Sequence, residues 1–149
     1  MSVPDLDEAR RYYVDLLGLE ELSSGSWAKS DQMDTIVGLR DSAGKSMMLG
    51  AGNTFIELFE FTSPDEGDVG DPPRASRFGY AHLCFDVDDV GHVVNRLRSE
   101  GITFHSEPQS LFGVTTVYSR DPFGNIVEFQ HIAQDERVRR LPRTDAALA

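Results

Sequence analysis

The chain has 149 residues, 40% of them hydrophobic, and a formal net charge of −11. So acidic a surface excludes general binding to a nucleic-acid backbone. No apolar run is long enough to span a membrane, and a single cysteine, Cys84, excludes an internal disulfide. One domain, or two small lobes sharing a core, is expected at this size, in a reducing, cytoplasmic compartment. The opening MSVPDLDEARR lacks the basic-then-apolar order of a secretory leader, so none is expected.

Residues 1–62 read as a first module. In VPDLDEARRYYVDLLGLE, Asp5 is placed to cap a helix and Glu8 completes a capping box. Leu6, Ala9, Tyr13, Leu16 and Leu17 keep helical spacing, and Gly18 is placed to end the helix in a left-handed turn. SSGSWAKSDQ (23–32) reads as a polar loop in which Trp27 is an anchor rather than a lid. Strands are expected around 33–40, 46–50 and 53–61, with a turn at Asp41–Gly44. Residues 63–77, rich in Pro, Gly and Asp and without periodicity, read as a linker, and Arg74 and Arg77 as its solubilising charges.

Residues 78–133 read as a second module. GYAHLCFDV (79–87) alternates as a strand does. Asp88 or Asp89 caps a helix whose apolar stripe is Val90, Val93, Val94 and Leu97, and Gly101 ends it. Strands follow at 101–105, 114–119 and 125–132, with a turn at Asp121–Gly124. The tail, 134–149, reads as a short helix and a frayed end. Helix, glycine and three strands occur twice, so the chain is an internal repeat and each half reads βαβββ. The first strand of the first half is cut short, since only Met1, Ser2 and Val3 precede its helix.

Three polar residues stand on otherwise apolar strands. Glu57 shares a face with Phe55, Phe59 and Phe61, Glu128 with Ile126 and Gln130, and His82 with Tyr80, Cys84 and Asp86. A polar residue on a strand usually faces water. These faces are mixed or apolar, however, and an ionised carboxylate there needs a partner or a metal. Glu57 and Glu128 also hold corresponding places in the last strand of each half. One imidazole and two carboxylates form a borderline-to-hard donor set suited to Zn, Ni, Co, Mn or Fe(II).

VPDLDEARRYYVDLLGLE, FIELFEF, GYAHLCFDVDD and DPFGNIVEF, in that order, resemble the vicinal oxygen chelate superfamily. That group includes glyoxalase I, methylmalonyl-CoA epimerase, extradiol dioxygenases, fosfomycin resistance enzymes and bleomycin-binding proteins. The likeness runs from Val3 to about Ile132. It implies an α+β fold of two βαβββ modules pairing into a curved, cup-like mixed sheet with helices outside, and a homodimer acting on a small oxygen-chelating substrate.

In glyoxalase I four strands supply His or Gln, Glu, His and Glu to the metal. Glu57, His82 and Glu128 match the second, third and fourth, and the place of the first falls before Met1. The resemblance therefore implies a divalent metal held by Glu57, His82 and Glu128. It implies proton transfer through a metal-stabilised enediolate, with Glu128, or after it Glu57, as the base. Glu57 stands where methylmalonyl-CoA epimerase usually has Gln, and Ala81 where it has a second histidine, which weighs against a standard enzyme of that kind. A metal-free binding protein, with Trp27, Phe55, Phe59, Tyr80 and Phe112 lining a cavity, is the alternative, beside an epimerase or a dioxygenase of the same superfamily.

Overall fold

A computed structural model describes residues 1–65, 67 and 70–133. The chain forms two compact units, Met1–Gly70 and a second beginning at Asp71, each α+β with its own sheet. The tail, 134–149, lies outside the described residues. Among the described residues no helix is long and apolar enough to cross a membrane.

In the first unit Asp5 caps helix α1, Leu6–Arg10, its side chain accepting from the Glu8 amide. The helix then widens into a π-helical segment, Arg11–Leu16, closed by a bond from the Leu17 amide to the Tyr12 carbonyl. The wider turn buries Tyr12 beside Tyr13, edge to face at 4.9 Å. Uniform α-helical spacing puts Leu16 in the apolar stripe in place of Tyr12. Gly18 ends the segment at φ 80°, as expected.

The strands are β1, Glu20–Ala28, β2, Ala43–Ala51, and β3, Thr54–Ser63, antiparallel in the order β1-β2-β3. Two expectations are corrected. The polar stretch 23–32 is mostly strand, because β1 is an edge strand, exposed along most of its length, and shows no apolar alternation. The strand expected at 33–40 is instead helix α2, Asp31–Val37, capped by the Ser30 side chain and ended by Gly38 at φ 71°. None of its residues is buried, so it has no apolar stripe to betray it. The Asp41–Gly44 turn joins that helix to β2 and is not a hairpin.

Trp27 does anchor its segment. Its indole donates to Ser42 Oγ at 3.0 Å and its edge meets Phe59 and Phe61. A Cβ on Gly44 would come within 2.8 Å of the same indole, so the position admits only glycine without rearrangement.

The second unit holds β4, His82–Asp86, helix α3, Val90–Ser99, β5, Gln109–Leu111, β6, Val114–Arg120, and β7, Ile126–Ile132. Asp89 is the cap of α3, and Val90, Val93, Val94 and Leu97 are its buried stripe. The sheet order is β4-β7-β6-β5, with β4 parallel to β7 and the other pairs antiparallel. Of the strand expected at 101–105 only a single bridge from Phe104 to Ser119 forms, and the strand proper comes later, as β5. The β6–β7 turn is held by Asp121, whose carboxylate accepts from the amides of Phe123 and Asn125 and from the Asn125 side chain.

The two halves share a register as well as an order. Ser2 pairs in parallel with Phe59, and Val3 N–H donates to the Phe59 carbonyl at 2.8 Å. Asp86 pairs in parallel with Gln130, and Val87 N–H donates to the Gln130 carbonyl at 2.7 Å. Counting back two residues from each partner reaches Glu57 in one half and Glu128 in the other.

Candidate active site on the second sheet

Strand alternation divides the residues of the second sheet between two faces. Phe85, Val117, Val127 and Phe129 are buried, and helix α3 packs against β6 and β7. The opposite face carries the polar residues, beside the buried Ile126. His82 and Cys84 on β4, Glu128 on β7, and Thr116 and Tyr118 on β6 share it, because Cys84 and Tyr118 both pair across from Glu128 in the ladder.

Glu128 is the centre of this face. It is 9% exposed, one of four buried polar or charged residues among those described. His82 Nε2 stands 3.0 Å from its Oε2. Thr116 Oγ1 donates to its Oε1 at 2.5 Å. Cys84 and Tyr118 flank the carboxylate from the neighbouring strands, each paired directly across from Glu128. The Tyr118 ring lies 5.1 Å from the His82 ring and 6.2 Å from that of His105. Such a carboxylate is solvated by side chains in place of water, which is the condition under which burial is tolerated.

These neighbours feel the charge. Desolvation first, and the Glu128 carboxylate second, push the Cys84 thiol up to about 12, although its surface still touches solvent. The same two causes raise the Tyr118 phenol. Cys84 therefore stays protonated where an ordinary thiol ionises. Its stabilising contribution is complete below the free-thiol range, roughly pH 8.5, and is lost as pH rises toward 12. At pH 8, iodoacetamide should alkylate Cys84 on the order of a thousandfold slower than free cysteine, with the difference abolished in urea. Alkylation at the free-cysteine rate in the folded protein would show that this environment does not hold.

Of the three residues singled out in the sequence, His82 and Glu128 are brought into direct contact. Glu57 belongs to the first unit, exposed on β3, at the register position Glu128 holds in the second. Thr116, Tyr118 and Cys84 were missed as site residues. The signal for Thr116 and Tyr118 was available, since the parity of β6 against β7 places them opposite and diagonal to Glu128. Cys84 had been read only for what a lone cysteine excludes.

His82 Nε2 and Glu128 Oε2 lie 3.0 Å apart, within direct hydrogen-bonding distance, and an imidazole nitrogen beside a carboxylate oxygen is a donor pair that a divalent ion takes. His82 and Glu128 thus fit as neighbouring ligands of a divalent ion. Among the described residues no three His, Cys, Asp or Glu side chains form a group that could hold an ion.

A family model described as Glyoxalase/Bleomycin resistance protein/Dioxygenase superfamily matches residues 1–129. The chain belongs to that superfamily. Within it, the chain is 29% identical to a 2-epi-5-epi-valiolone epimerase of an Actinomyces species, over 85% of this chain and 73% of the relative. It is 27% identical to a probable lactoylglutathione lyase of Synechocystis, over 86% of this chain and 88% of the relative. Among solved structures, a glyoxalase family protein from Bacillus cereus superposes with a TM-score of 0.78 at 21% identity, covering 89% of this chain and 90% of that one. At that identity the superposition speaks for the fold alone, and the superfamily's reactions differ too widely for the fold to choose among them.

Proposed function

We propose that this superfamily member is a divalent-metal-dependent enzyme of glyoxalase type, moving a proton at a carbon beside two adjacent oxygens of a small substrate. The observation that carries the reading is the contact between His82 Nε2 and Glu128 Oε2 on one polar sheet face. His82 and Glu128 are two of the proposed ligands. Glu57 is the third, supported by its register equivalence to Glu128. The ion, Zn, Ni, Co, Mn or Fe(II) by the chemistry of its donors, would supply Lewis acidity to the substrate oxygens.

The chain's own groups do the rest. Glu128 accepts the proton from carbon, and Glu57 is the second choice for that role. Thr116 keeps the Glu128 carboxylate aimed while it does so. A homodimer in a reducing, cytoplasmic compartment completes the proposal.

A second reading, an epimerase, is favoured by the 29% identical relative named for that activity. It begins with the same proton abstraction but returns a proton to the opposite face of the same carbon, where the glyoxalase-type step delivers it to the adjacent carbon.

The test is metal content by mass spectrometry on protein purified without a histidine tag, beside a Glu57→Ala/Glu128→Ala double variant. Near-stoichiometric metal in the parent and none in the variant is the expected result. Equal metal in both proteins would overturn the ligand set, and no metal in either would favour a metal-free binding protein.

A further inference from the structure

The Glu128 carboxylate is gripped from one side. Thr116 Oγ1 lies 2.5 Å from Oε1, while a second acceptor, the Phe129 carbonyl, is at 3.3 Å. A hydroxyl has one proton to give, so the shorter contact takes it. Its length is that of a charge-assisted bond to a carboxylate. With Oε1 held by β6, Oε2 is turned to His82.

The grip is rigid for a reason in the sequence. Thr116 pairs directly with Gln130, one diagonal step from Glu128. Being β-branched, threonine has few χ1 choices on a strand, so the backbone of β6 fixes where the hydroxyl points. Glu128 itself carries three rotatable bonds and has no such constraint.

We propose that Thr116 is the positioning residue of the site: by holding Oε1 it commits Oε2 to the ion that His82 shares. The inference rests on the reading of Glu128 as a metal ligand. It assigns Thr116 no contact with substrate.

The experiment is titration of the full-length apoprotein with Co²⁺ against a chromophoric chelator, for the parent, Thr116→Val, Thr116→Ser and Glu128→Gln, with a melting curve for each. Valine keeps the shape and strand preference of threonine but has no proton to donate. Co²⁺ affinity should fall roughly 10–100-fold in Thr116→Val and return close to the parent value in Thr116→Ser, with each variant still melting in one cooperative step and Thr116→Val below the parent. Parent-like affinity in Thr116→Val, beside weakened binding in Glu128→Gln, overturns the role of Thr116 alone. Equal losses in the valine and serine variants also overturn it, since the methyl and not the hydroxyl would then matter. Indistinguishable binding by the parent and Glu128→Gln removes the ligand reading, and the inference with it.

Discussion

Glu128→Gln should lower kcat by about 10²–10⁴-fold on whichever oxygen-chelating substrate the parent turns over. Glutamine matches the shape of glutamate and can still accept from Thr116 through its carbonyl, so the sheet should be undisturbed. It cannot take up a proton at carbon. The polar face would also lose its central negative charge, and a neutral amide is a poor metal ligand beside His82. The two losses separate by measurement. Solvent-deuterium exchange into substrate, followed at saturating metal, reports the base alone. Full exchange in Glu128→Gln with metal retained would remove Glu128 from the role of base and leave Glu57 to be tested for it.

Phe129→Ala should destabilise the protein by about 3–5 kcal/mol. Phe129 is 1% exposed and stacks against Phe85 at 6.1 Å, with Phe104 at 6.5 Å on another side. Typical domains hold only about 5–15 kcal/mol in total, so the urea midpoint should drop steeply at nearly unchanged slope. Phe129 is also the immediate neighbour of Glu128, on the opposite face of β7. Loosening that strand moves the carboxylate, so activity below the unfolding transition should fall as well. A loss under about 1 kcal/mol would mean that the surrounding side chains collapse into the space, a result outside the usual range for phenylalanine in a core.

The sequence carried most of the second unit and less of the first, for identifiable reasons. The stripe of α3 is strictly periodic and every residue named for it is buried. Strand β7 is buried without a break from Ile126 to Phe129, and a glutamate inside that run is what drew notice. Strand β1 and helix α2 have no buried face of that kind, so hydrophobic periodicity had nothing to report. Ser30, which caps α2, and Gly38, which ends it, are the local helix signals of a segment whose Thr35, Ile36 and Val37 are β-branched and favour a strand. Tyr12 was lost from the expected core because a π turn shifts the helical phase, which no fixed spacing anticipates.

At the site, His82 and Glu128 were legible as misplaced polar residues, but their 3.0 Å contact depends on a parallel register that only the folded sheet supplies. Thr116 was hidden for the opposite reason. Threonine is an ordinary strand residue, and nothing in VTTVYS distinguishes the hydroxyl that grips a carboxylate from the one beside it, which meets Ser110.

The parallel pairing of β4 with β7 also orders events during synthesis. Helix α3 and the β5–β6 hairpin can form from neighbouring residues soon after they are made. Strand β4 cannot meet its partner until the forty-odd residues between His82 and Ile126 have been added and β7 has followed. Until then His82 emerges from the ribosome on an unpaired edge, the kind of edge that recruits stray strands. A nascent chain halted before Glu128 therefore lacks the His82–Glu128 contact and exposes that edge, so the residues that complete this contact also bury a route to misassembly.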